Sequence, residues 1–103
     1  MKIYNKLVRD KIPQIIKNSN KAFDIHVASK EEALNLLNKK LDEEVLEFHK
    51  DQNLEELSDI MEVLFSLAKN LGYSEEELLI KRLEKREVRG GFDEKIVLEK
   101  VYE

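Results

Sequence analysis

The sequence predicts an all-α protein built as an antiparallel helical bundle, on three observations. Apolar residues recur every three or four positions through most of 30–89, the period of a helix that buries one face. Three phrases, at Ser29, Asn53 and Ser74, each place a capping residue three positions ahead of a glutamate, which marks a helix start. With three Gly and one Pro in 103 residues, the chain lacks the turn residues that an all-β protein needs. That length fits one domain with a modest core.

The elements follow in order. Within 1–20 a short helix is expected, with Asp10 as N-cap, Pro13 in the first turn and an apolar face of Val8, Ile12, Ile15 and Ile16. Residues 23–27 alternate like a short strand. Ser29 and Glu32 then open a helix from about 30 to 51, on Leu34, Leu37, Leu41, Val45 and Phe48. Asn53 and Glu56 open the next, on Leu57, Ile60, Met61, Leu64, Leu67, Ala68 and Leu71, and Gly72 ends it. Ser74 and Glu77 open a third long helix through Leu78, Leu79 and Leu83 to about Arg89, stopped by Gly90 and Gly91. Residues 95–101 are β-prone and a short pairing with 23–27 is expected. The apolar stripes are wider than a three-helix monomer covers, so a homodimer or homotetramer is expected.

Composition excludes several classes. There is no Cys, which removes disulfides and thiolate metal sites and fits a reducing cytoplasm. No apolar run approaches a membrane span and no signal-peptide core is visible, so the expectation is a cytoplasmic protein with no membrane partner. The net charge of -4 argues against a nucleic-acid polymer as partner. The charge is also uneven. Eleven of the 22 acidic residues fall within 31–62, whereas the Lys and Arg gather at 1–21 and 81–100. An acidic centre with basic flanks suits a metal–phosphate ligand.

Chemistry concentrates in four carboxylates, Glu44 and Glu47 in one phrase and Glu56 and Asp59 in another. Each pair is spaced i, i+3 and shares a helix face. Only Asp51-Gln52-Asn53 separates the two helices, so they run antiparallel and side by side. On charged helices such residues are commonly a solvated face, and Glu56 has a second use in the cap of Asn53. Carboxylates at the seam of two packed helices, however, need a compensating charge. A hard divalent cation supplies it, and Mg²⁺ characteristically combines a few carboxylates with water and substrate phosphates.

The basic cluster Lys81, Arg82, Lys85, Arg86 and Arg89 has two readings. One is charge complementing a helix C-terminus; the other is phosphate capture by Lys85, Arg86 or Arg89. Gly90 and Gly91 serve as a helix stop or as a close approach for phosphate, without the Lys-Ser/Thr ending of a P-loop. Asn5, Lys6, Arg9 and Lys11 are either surface charge or substrate contacts in the same or a neighbouring subunit. His26 and His49 are isolated and receive no role. Phe92 is the best candidate for stacking on a base, although core packing is the commoner use of Phe.

The acidic pattern Glu44-x-x-Glu47 with Glu56-x-x-Asp59 resembles the all-α nucleoside triphosphate pyrophosphatases of the MazG and phosphoribosyl-ATP pyrophosphohydrolase superfamily. The opening 4–13, Tyr-Asn-Lys-Leu-Val-Arg-Asp-Lys-Ile-Pro, and the closing 85–92, Lys-Arg-Glu-Val-Arg-Gly-Gly-Phe, resemble the ends of a compact phosphoribosyl-ATP pyrophosphohydrolase-like subgroup. Eight residues separate Glu47 from Glu56, a shorter gap than MazG proteins usually carry, which tightens the loop beside the pocket. The resemblance implies helical subunits in dimers or tetramers and Mg²⁺-dependent cleavage between the α and β phosphates of a nucleotide, with Mn²⁺ as substitute. On that basis Glu44, Glu47, Glu56 and Asp59 hold the metal, Glu47 accepts a proton from the attacking water, and Glu43, one turn before it, is an outer catalytic carboxylate. Lys85, Arg86, Arg89, Asn5, Lys6 and Arg9 meet the phosphates. House-cleaning of surplus or non-standard nucleotides is the expected role. The alternatives are phosphoribosyl-ATP hydrolysis in histidine biosynthesis and a non-catalytic helical module that binds nucleotide or metal.

Overall fold

A computed structural model describes residues 1–102 and holds four helices, α1 (Ile12–Asn18), α2 (Lys30–Lys50), α3 (Leu54–Asn70) and α4 (Glu75–Arg89). No strand occurs among the described residues. The class is all-α. None of the helices is long and apolar enough to cross a membrane.

The three expected caps are all made, and they differ in a way that matters later. Ser29 Oγ accepts from the Glu32 amide at 3.1 Å, Asn53 Oδ1 from the Glu56 amide at 2.9 Å and Ser74 Oγ from the Glu77 amide at 3.0 Å. Only Glu77 closes its box by accepting from the Ser74 amide. Glu32 instead meets His26 Nε2 at 3.0 Å, and Glu56 turns toward other carboxylates. At the far end of α3, Gly72 adopts φ +96. Its amide donates to Lys69 O and the Tyr73 amide to Ala68 O, a Schellman stop that a residue without Cβ permits.

α2 and α3 double back on one another across 51–53 and form the main packed unit. The start of α2 (Lys30, Glu31, Leu34) lines a shallow groove with the end of α3 (Asn70, Leu71), as antiparallel pairing requires. Leu37 of α2 and Val63 and Ala68 of α3 are buried, with Ile60 and Leu67 half-buried. α4 touches α3 but not α2, and α1 packs on no other helix.

Two expectations are corrected. Asp10 does not cap α1, because the Ile12 amide donates to Arg9 O at 3.0 Å in a preceding turn. Lys11 therefore occupies the N-cap position and makes no side-chain cap, with Pro13 in the first turn. The short β pairing of 23–27 with 95–101 does not form. Lys95 sits at φ +56, which breaks an extended run at its first residue. Ile25, Val27, Ile96, Val97 and Val101 all remain exposed, and a lone two-stranded ladder is marginal in water.

The molecule is elongated, 63 × 31 × 24 Å, with a radius of gyration of 18.2 Å against about 13 Å for a compact chain of this length. α3 explains why. Besides its covered residues it carries a second stripe, Leu57, Met61, Leu64 and Leu71, exposed by 48, 53, 41 and 57%. Leu57, Met61 and Leu64 follow one another in steps of four and three, the spacing of a helix–helix seam, with Leu71 at the C-cap of the helix. Leu79, Ile80, Leu83 and Val88 of α4 are likewise exposed.

Candidate metal centre

The short link between α2 and α3 brings the last turns of one helix against the first turns of the other. Carboxylate oxygens of Glu44, Glu56 and Asp59 lie within 4.8 Å of one another, and so do those of Glu47, Asp51 and Glu56. Glu56 belongs to both groups. Helix geometry fixes the membership: Glu56 and Asp59 are one turn apart at the start of α3, Glu44 and Glu47 one turn apart on α2, and Asp51 follows Glu47 by four residues. Glu44, Glu56 and Asp59 are half-buried, whereas Glu47 and Asp51 are exposed at the rim.

Glu56 is the electrostatic centre. Partial burial, followed by the charges of Asp59, Glu47, Glu44 and Asp51, raises its carboxyl above the ordinary value of 4.5. The Asn53 cap uses the Glu56 amide and leaves this carboxylate turned into the cluster. The Asn53 cap therefore engages the Glu56 backbone but not its side chain.

Three cations offset part of this charge. Arg9 Nη2 lies 2.7 Å from Asp59 Oδ1, Lys6 Nζ 3.3 Å from Glu43 Oε1 and Lys40 Nζ 3.8 Å from Glu44 Oε1. Against them stand six carboxylates, of Glu43, Glu44, Glu47, Asp51, Glu56 and Asp59. The local surplus is negative. Among the described residues Glu47 and Asp51 have no ion-pair partner.

The donor set fits a hard divalent cation. All donors are carboxylate oxygens, and oxygens on opposite sides of Mg²⁺ stand about 4.2 Å apart, or about 4.8 Å around Ca²⁺. Oxygens that lie within 4.8 Å of one another are close enough to share one such ion.

Compared with family models, curated proteins and solved structures, the chain matches none. The four carboxylates singled out in the sequence meet at the α2–α3 seam, and Lys6 and Arg9 reach it from the same chain. Asn5 makes no side-chain hydrogen bond among the described residues. Its φ of +46 supplies a bend just before Lys6, a conformation that Asn tolerates better than most residues. Lys85, Arg86 and Arg89 form no ion pair with the cluster. Arg86 Nη2 binds Asp93 at 2.8 Å, and its guanidinium lies against Gly91. Gly90, at φ +83, ends α4. Phe92 is almost fully exposed.

Sequence reasoning missed Asp51 and Lys40. Both had a signal: Asp51 lies four residues after Glu47, and Lys40 four residues before Glu44. In the sequence Asp51 stands in the connection, and Lys40 is one of four lysines of α2.

Proposed function

We propose that this protein is a divalent-cation-dependent nucleotide pyrophosphohydrolase that cleaves between the α and β phosphates, yielding a monophosphate and pyrophosphate. The reading rests foremost on one observation: Glu44, Glu56 and Asp59 bring their oxygens within 4.8 Å across two helices, although Glu56 had its own cap to close. The reaction class comes from the resemblance of the acidic pattern and of the 4–13 and 85–92 motifs to the MazG and phosphoribosyl-ATP pyrophosphohydrolase superfamily, whose bundle fold we extend to this chain.

Glu44, Glu56, Asp59 and Glu47 would hold Mg²⁺, which when bound polarises phosphoryl oxygens and offsets transition-state charge. The rest is done by side chains. Glu47, exposed and without a cationic partner, takes a proton from the water as its oxygen bonds to the α phosphorus. The bond from that phosphorus to the bridging oxygen breaks, and pyrophosphate leaves with the electron pair. Glu43 stands one turn behind Glu47 and is held by Lys6. Arg9 and Lys6 are the cations nearest the incoming phosphates. Lys85, Arg86 and Arg89 make no ion pair with the cluster in one chain, and a second copy could bring them to it.

We also propose that the chain works as a homo-oligomer. Three buried apolar residues and an exposed seam on α3 leave a core that one copy does not close, and a second α3 fits the Leu57, Met61, Leu64 and Leu71 stripe.

The test is pyrophosphate and monophosphate release in Mg²⁺ or Mn²⁺, across ribo- and deoxyribonucleoside triphosphates and phosphoribosyl-ATP. Turnover of several triphosphates with pyrophosphate as product supports house-cleaning. Turnover of phosphoribosyl-ATP alone assigns the protein to histidine biosynthesis. No turnover on any of them removes the enzyme reading.

A further inference from the structure

The first eleven residues contain no helix or strand, and only Leu7 among them is even half-buried. What ties them down is charge. Lys6 reaches α2 through Glu43, and Arg9 reaches α3 through Asp59. The two cations are three residues apart and straddle the seam that holds the carboxylate cluster. Both are largely exposed, and exposed ion pairs hold weakly. The α1 helix that follows adds no anchor, since it packs on no other helix.

We infer that residues 1–11 are a charge-held strap that engages the cluster through Asp59 and is released when a divalent cation binds. This rests on the cation reading of the cluster given above. The oxygen that Arg9 binds belongs to Asp59, and Asp59 is one of the three residues whose oxygens converge with those of Glu44 and Glu56. A guanidinium stays protonated at any working pH, so it cannot withdraw by losing its charge. A cation drawn to Asp59 brings two more positive charges beside Arg9. Their repulsion and the loss of a carboxylate partner act in the same direction, and Arg9 leaves. The freed guanidinium stays tethered one short segment away, where it suits a phosphate bidentately. The strap thus makes metal loading precede phosphate capture.

Two consequences separate the strap from ordinary surface charge. Arg9→Gln removes the competitor, so the variant should bind Mg²⁺ alone roughly two- to fivefold more tightly than the parent. The strap should also change its mobility on Mg²⁺ binding. The chain has no Cys, so Val8→Cys gives one labelling site, at an exposed position beside Arg9 and beyond the Lys6–Glu43 tie. A nitroxide there is read by electron paramagnetic resonance during a titration with diamagnetic Mg²⁺ at constant ionic strength, and binding is followed in parallel by calorimetry. The expected result is a slow component in metal-free protein that sharpens with the binding isotherm, and a sharp spectrum throughout in the protein that also carries Arg9→Gln. Calorimetric binding without any sharpening overturns the strap and leaves the metal site standing. Absence of binding heat, with no change in melting, sinks the metal site itself and the strap with it.

Discussion

Substituting Met61 by Lys puts a charge in the middle of the exposed stripe of α3. In one copy the change is nearly neutral, because Met61 is 53% exposed and touches little that a lysine stem cannot replace. Across a two-fold axis it counts twice. Fully burying a side chain of this size is worth about 1.5–3 kcal/mol, and with about half of that still to be gained, each Met61 offers about 1 kcal/mol to the dimer. Two copies lose about 2 kcal/mol, which weakens association about thirtyfold, before any cost of burying the ammonium groups. Sedimentation velocity over a hundredfold range of concentration reads this directly. The parent should be dimeric or larger where the variant is monomeric, with helix content unchanged by circular dichroism. A parent that stays monomeric at the highest concentration, or a variant with an unaltered distribution, refutes the seam.

Four further outcomes are expected. Because Glu56 holds its proton to higher pH in the fold than in the unfolded chain, its contribution to stability is greatest below 4.5 and is lost as pH rises through the raised value; Glu56→Gln should remove that slope, raise the metal-free melting midpoint at neutral pH and abolish the shift that Mg²⁺ produces, all visible in melts across pH. Glu47→Gln should lower turnover about a hundredfold or more and still show the Mg²⁺-induced rise in midpoint, so loss of both would mean that Glu47 is chiefly a ligand. Ser74→Ala should cost about 1 kcal/mol in urea unfolding, since it opens the one complete capping box. Gly72→Ala should cost a similar amount, about 1 kcal/mol, from the positive φ alone, because a Cβ there meets no atom.

Much of the architecture was legible because its signals are local. Ser29, Asn53 and Ser74 announce their helices through bonds made within three residues, and Gly72 ends α3 by a rule of backbone conformation. The meeting of Glu44 with Glu56 and Asp59 was legible for a related reason: a three-residue link favours two helices side by side. Residues 95–101 mislead, because their apolar, β-branched composition records a need for burial and not the partner that supplies it. Asp10 misleads at smaller scale, since an N-cap is decided by where the preceding turn closes, here on Arg9 O. The ion pair of Arg9 with Asp59 spans 50 positions, and neither periodicity nor capping encodes such a contact. The redirection of Glu56 from its cap to the cluster is a balance between two uses of one carboxylate, and spacing alone does not decide it.

The three-residue link has a kinetic consequence as well. Every carboxylate of the cluster lies within 43–59, so the centre is assembled by contacts close in sequence, for which loop-closure entropy is small. It belongs to the part of the chain that can fold first. A cation that binds there acts on the α2–α3 hairpin while the termini and α4 are still unplaced. Metal added during refolding should therefore speed the folding limb rather than merely slow the unfolding one, and the candidate metal centre would double as the folding nucleus.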